Sequence, residues 1–161
     1  MASIRDRILD ALCTALVAAA PAGGVAMPAG LTLTQERTHP SDESQLPLIG
    51  LYFDDEEPEL LADVRFRAPL ARKLLTVTVE YRALASSPGV TAVVPRKAID
   101  PLYVWVMQQI ALDETLGGLA IEVNEGATKW ISKEGDDIVA AAAQKLTIFY
   151  RTARLNPTAA G

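Results

Sequence analysis

"DPLYVWVMQQIALDETLGGLAIEVNEG", residues 100–126, joins a helix pattern to a strand pattern through two glycines. Asp100 and Pro101 supply a cap residue and a first-turn proline, which set the expected helix start at that pair. Leu102, Val106, Ile110 and Asp113 then fall on one line of a 3.6-residue helix. Tyr103, Met107 and Ala111 form the neighbouring line, with Trp105 and Leu112 nearby. The apolar surface runs around much of this helix, more than one sheet face would cover, so part of it is expected to meet another subunit. The helix is expected to end at Leu116. Gly117 suits the left-handed position just past a helix end, and Gly118 a close reversal, with Leu116 and Leu119 bracketing the turn. A phosphate-binding loop needs its glycines after a strand and before a helix. Here the order is reversed, so the glycines read as a joint, and "LAIEVNEG" follows as a strand.

Downstream, "ATKWISKEG" reads as a further strand, split from the last one around Gly126. Leu146, Ile148 and Tyr150 alternate with Thr147, Phe149 and Arg151, which predicts another strand. The alanines before it are compatible with helix or strand, and residues 157–161 read as a loose tail. Upstream, "KLLTVTVEYRA" (residues 73–83) is the clearest strand: Leu75, Val77, Val79 and Tyr81 share one face, and Thr76, Thr78, Glu80 and Arg82 the other. The stretch between it and Asp100 reads as a loop. "ADVRFRA" is a strand candidate that puts Arg65 and Arg67 on one face. Residues 54–59 are an acidic run read as a solvated loop. "QLPLIGLYF" is expected to be an edge or bulged strand because of Pro47 and Gly50, and a strand is expected from Leu31 to about Thr38. Residues 21–30, "PAGGVAMPAG", form a flexible Gly/Pro-rich connector.

At the N-terminus, Ser3 and Asp6 have capping-box-like spacing. Ile4, Ile8, Leu12 and Leu16 recur at i+4, widened by Leu9 and Ala15, so an amphipathic helix of about four turns is expected. Asp6 and Asp10 interrupt the basic and apolar regions that a secretory signal would need. Helix, strands, helix, strands in that order predict an α+β domain: a mainly antiparallel sheet with an N-terminal and a central helix packed on one face. The 161 residues suit a single domain, 1–161. The net charge of −5 argues against a general nucleic-acid-coating surface. The single cysteine, Cys13, excludes an intrachain disulfide and fits folding in a reducing cytosol.

The run from Asp100 to Gly126, followed by "LTIFYRTARLNP", resembles the tail terminator (tail completion) proteins of long-tailed bacteriophages. The likeness spans Ser3 to Pro157 and lies in the plan: N-terminal helix, strand region, central helix ending in Leu-Gly-Gly, and a last strand with Tyr-Arg-Thr. The "PAGG" connector and the acidic "DDEEPE" run have no counterpart in it. The resemblance implies a structural virion protein: a homo-hexameric ring that caps the tail tube, ends its polymerisation and forms the head–tail joining surface. It implies the tail tube protein and a head-side connector or neck protein as partners, with DNA passing through the lumen without specific binding. It implies no enzymatic activity, cofactor or membrane, and a location in the tail or neck of the virion, with assembly in the host cytoplasm. Another neck, head-completion or minor tail component remains an alternative, as does a small cytosolic enzyme whose site is assembled from distant residues.

Candidate chemistry is sparse. His39 is the only histidine and stands in a loop beside Pro40. Cys13 has apolar neighbours, where a thiol behaves as a small hydrophobe. Neither has a nucleophile signature around it. The acidic run lacks the spacing of a calcium loop. In a ring, Asp54, Asp55, Glu56 and Glu57 are expected to face the lumen and repel DNA phosphates. A compact 161-residue domain is ~40 Å across, so six in a ring leave a hole about as wide as one of them, enough for a duplex. Arg65 and Arg67 are expected at subunit salt bridges. Tyr103, Trp105 and Met107 are expected in core packing or an oligomer contact, and Leu116, Gly117 and Gly118 complete the expected interface set.

Overall fold

The computed structural model describes residues 2–35, 45–58, 70–86, 94–132, 138–153 and 156–160. In chain order the elements are α1 (Ile4–Leu16), β1 (Thr32–Gln35), β2 (Leu48–Pro58), β3 (Leu70–Ser86), α2 (Pro95–Leu112), β4 (Glu122–Ser132), β5 (Ile138–Ala153) and β6 (Asn156–Ala160). The strands form one sheet in the order β1-β2-β3-β5-β4, with β6 also on β5. Every pairing is antiparallel except β1 with β2. Both helices bury onto the same sheet face, so the architecture is the expected α+β one.

Alternation decides which face that is. Leu75, Val77, Val79 and Tyr81 are fully buried, while Thr76, Thr78, Glu80 and Arg82 stay partly exposed. Across the ladder, β5 sets Ile148, Leu146, Gln144 and Ala142 opposite those four core residues. The alanine run is therefore strand: Ala140 and Ala142 are buried, and neighbours on both sides override alanine's helix preference. Buried Gln144 is held by the Tyr81 hydroxyl, which donates to its Oε1, and its Nε2 lies 3.5 Å from Met107 Sδ.

α1 begins as expected. Ser3 Oγ accepts from the Asp6 amide at 3.1 Å, and the Asp6 carboxylate accepts from the Ser3 amide at 3.2 Å. Ile4, Ile8, Leu9, Leu12 and Leu16 form its buried stripe.

α2 departs from expectation at both ends. It starts at Pro95 with Val94 as cap, and Asp100-Pro101 lies inside it. Pro95 supplies the preset first-turn φ that had been expected of Pro101. An interior proline costs about 3 kcal/mol. Burying Ile99, which is 1% exposed, returns roughly 2 kcal/mol of that. The helix stops at Leu112 because Asp113 captures the next turn. Its carboxylate accepts from the Thr115 amide (3.1 Å), the Thr115 hydroxyl (2.8 Å) and the Gly117 amide (2.6 Å), offering the backbone an alternative to the helix. Leu116, Gly117 and Gly118 then all take positive φ, at 50°, 68° and 83°. The joint is thus a three-residue left-handed turn, after which the Ile121 amide bonds Phe149 O at 2.7 Å and leads into β4.

Three further expectations change. β4 is one strand, bulged between Glu125 and Thr128 rather than split. A Cβ on Gly126 would stand 2.8 Å from the Lys145 carbonyl oxygen, so glycine permits that close approach. Residues 156–160 pair with β5 instead of forming a loose tail. The acidic run through Pro58 is the second half of β2, not a loop, since the pairing of "LIGLYF" with β3 continues through it past a bulge. β2 is bulged, but at Phe53/Asp55 and not at Pro47 or Gly50. β1 covers Thr32–Gln35 of the strand expected to reach Thr38, and residues 36–38 lie outside the described ones.

Candidate functional site

The bulge in β2 separates the four acidic residues. Before it, Phe53 pairs with Val77 on the helix side of the sheet. After it, Asp55 pairs with Thr76, Glu56 with Leu75 and Glu57 with Leu74. Side chains alternate along a strand, so the extra residue leaves Asp54, Asp55 and Glu57 on the outer face and turns Glu56 inward. Asp54 meets Lys145 there at 2.6 Å. Glu56 is therefore misplaced by the lumen expectation. It accepts from the Lys73 ammonium and from the Tyr150 hydroxyl (2.9 Å), with Arg5 at 3.9 Å. Ser3, Arg5, Glu56, Lys73, Tyr150 and Thr152 line a recess of about 180 Å³ at the N-terminal end of α1. Arg5 also lies over the Phe53 ring, 4.9 Å from its centroid.

Burial pushes the Glu56 carboxyl up, but the hydrogen bonds from Lys73 and Tyr150 and the charges of Lys73 and Arg5 outweigh it, holding the group below its ordinary value of 4.5. A carboxyl with a lowered folded pKa contributes stability above its unfolded pKa and loses it as pH falls through the folded one. The urea midpoint should accordingly drop as pH is taken below 4.5. Glu56→Gln should be less stable at neutral pH and show a shallower acid decline. Parallel curves for the two proteins would show that Glu56 is not linked to folding. On the Tyr150 side of the pair, burial and then the Glu56 carboxylate raise the phenol, so it stays a proton donor.

The expected interface residues fall into three groups. Arg65 and Arg67 lie outside the described residues, as does His39. Trp105 and Leu116 are internal, 0% and 3% exposed. Trp105 is packed in the core, where its Nε1–H donates to Leu16 O at 3.0 Å and pins α2 against the end of α1. Tyr103 and Met107 are half-buried and have partners within the chain. The Tyr103 hydroxyl donates to Glu125 Oε1 at 2.6 Å, which raises its pKa, and its ring meets Tyr81 edge-on at 6.3 Å. Gly117 and Gly118 are exposed. Cys13 is half-buried with its Sγ 3.6 Å from Gln35 Oε1, and burial raises the thiol pKa, away from a reactive thiolate.

The surface features missed by sequence pattern are apolar. An open groove of about 470 Å³ runs between the C-terminal ends of α1 and α2. Ala11, Ala15, Ala18 and Ala19 wall one side, and Leu112, Leu116 and Gly117 the other, with Gln109 between. Val17 and Leu112 beside it are 60% and 55% exposed. On the edge strand β4, Trp130 is 43% exposed, with the Arg96 guanidinium 5.5 Å from its ring centroid. The alanine spacing in α1 was the available signal for the groove, since small residues leave the space between helices unfilled. Among the described residues, no group of three or more His, Cys, Asp or Glu side chains is placed to hold a metal ion, and no helix is long and apolar enough to cross a membrane.

Compared with known proteins, the chain matches no protein-family model and no curated sequence.

Proposed function

We propose that this protein is a tail terminator of a long-tailed bacteriophage, a structural subunit of a closed six-membered ring. One ring face binds the last ring of the tail tube and stops further addition, and the other offers a surface to the head-side connector. The observation that carries the reading is the likeness of the 100–126 run and the Tyr150-Arg151-Thr152 strand end to that family's plan. An α+β domain with both helices on one sheet face is compatible with it, although a fold by itself never fixes function. Closed rotational symmetry needs two different complementary patches per subunit. The outer sheet face bearing Asp54, Asp55 and Glu57 is proposed as the lumen wall, where carboxylates would let DNA slide past unbound. Glu56 is left out of that wall because it faces Lys73.

The test is the mass and symmetry of the purified protein, alone and mixed with its tail tube. Six-membered rings seated on tube ends are expected. A protein that never joins the tube would overturn the reading.

A further inference from the structure

We propose that copies of this chain dock head to tail, with Trp130 and its basic surround on one copy seated in the α1–α2 groove of the next. The inference deepens the ring reading and rests on it for closure of the ring, while the docking itself is argued from the two patches.

The socket is unfinished within one chain. Its walls are mainly alanine and leucine, with Thr14, Gln109 and Asp113 among them, and its volume is about 470 Å³. Gln109, which lines it, is 2% exposed, and its Nε2 has no hydrogen-bond partner. A buried amide left uncommitted is uncommon in a finished core and marks a place where a partner completes the bonding.

The knob has matching properties. An indole is a large, stiff apolar body with one N–H donor, and such a residue dominates interfaces when a pocket desolvates it. The donor that Gln109 Nε2 leaves over needs an acceptor, and the backbone carbonyls along the β4 edge beside Trp130, unpaired among the described residues, supply one. β4 is the last strand in the sheet order, so among the described residues nothing pairs along its outer edge to stop a second chain from approaching.

Charge agrees with shape. Arg96, stacked on the Trp130 ring, and its neighbour Lys97 are exposed, whereas Asp113, which lines the groove, and its neighbour Glu114 are exposed at the other end of α2. The acidic residues of β4, Glu122 and Glu125, precede its bulge, away from Trp130.

Position bears on the symmetry. Arg96 and Leu112 are at opposite ends of α2, about 24 Å apart at the helical rise. Two different patches at opposite ends of one subunit make a heterologous contact, which generates a ring when the rotation closes and an open filament when it does not.

Three samples test this by native mass and sedimentation, after far-UV circular dichroism has shown that each is folded: wild type, Trp130→Ala and Ala15→Phe, which fills the socket. Each variant should associate about tenfold or more weakly than wild type. Mixed together they should form a two-copy species and nothing larger, because one keeps its socket and the other its knob. Raising salt should weaken the wild-type contact. Variants that assemble like wild type, or a mixture that stays monomeric, would overturn the docking while leaving the ring reading intact. Wild-type protein that stays monomeric at high concentration would also overturn the docking. The ring reading is judged separately, by whether the protein caps the tube.

Discussion

Trp105→Ala is expected to lower folding stability by about 3–5 kcal/mol, the range for removing a fully buried large aromatic side chain. Its ring is 0% exposed at the junction of the two helices and the sheet. The substitution opens a cavity and also strips the Leu16 carbonyl, at the end of α1, of its donor. Helix-end carbonyls have no intrahelical partner, so this loss falls on a group with little alternative. Trp105→Phe separates the two effects: it retains most of the apolar volume and should lose about 1–2 kcal/mol, mainly from the missing hydrogen bond. Urea unfolding followed by circular dichroism would measure both. A small change for Trp105→Ala, accompanied by dissociation of an oligomer, would return Trp105 to an interface role.

Leu116→Ala is the second large expectation, at about 2–4 kcal/mol. Leu116 is 3% exposed while its φ is 50°, an uncommon conformation for a residue with a Cβ. Burial of the side chain offsets the backbone strain. Alanine keeps the strain and gives up the burial, whereas glycine gives up both. Leu116→Gly should therefore be at least as stable as Leu116→Ala, reversing the usual advantage of alanine over glycine. Thermal midpoints of the two variants, measured side by side, decide it. A clearly more stable alanine variant would show that the left-handed turn relaxes once the side chain is gone.

How much of this was legible depended on whether the deciding interaction was local. The β3 alternation and the Ser3–Asp6 cap are written within a few residues, and both stand as expected. The end of α2 was legible too, in the Asp113–Thr115 pair, although the glycines at 117 and 118 are the stronger local terminators. The bulge at Phe53/Asp55 has no comparable mark, because it is set by register against β3, and it alone decides which acidic residue turns inward. Helical spacing placed Trp105 on an apolar surface without revealing what it meets. Its partner, Leu16 O, is 89 positions away in the chain. The groove was harder still, since it arises where alanine side chains are too short to meet across two helices.

Pro101 has a dynamic consequence. Lacking an N–H, it leaves a gap in the hydrogen-bond ladder of α2, so the Lys97 carbonyl loses its i+4 donor. The helix is thereby divided into two units of unequal persistence. Residues 95–100 are held by a short run of backbone bonds, the anchored Ile99 and the stacking of Arg96 on Trp130. The segment from Leu102 to Leu112 is clamped by Trp105 and Ile110. Segments with fewer buried contacts open at lower free energy than the core beside them. In hydrogen–deuterium exchange the amides of Ile99 and Asp100 should label ahead of those of Val106 to Ile110. The first turns of α2 can then breathe, and readjust around Trp130, while the remainder of the helix stays closed.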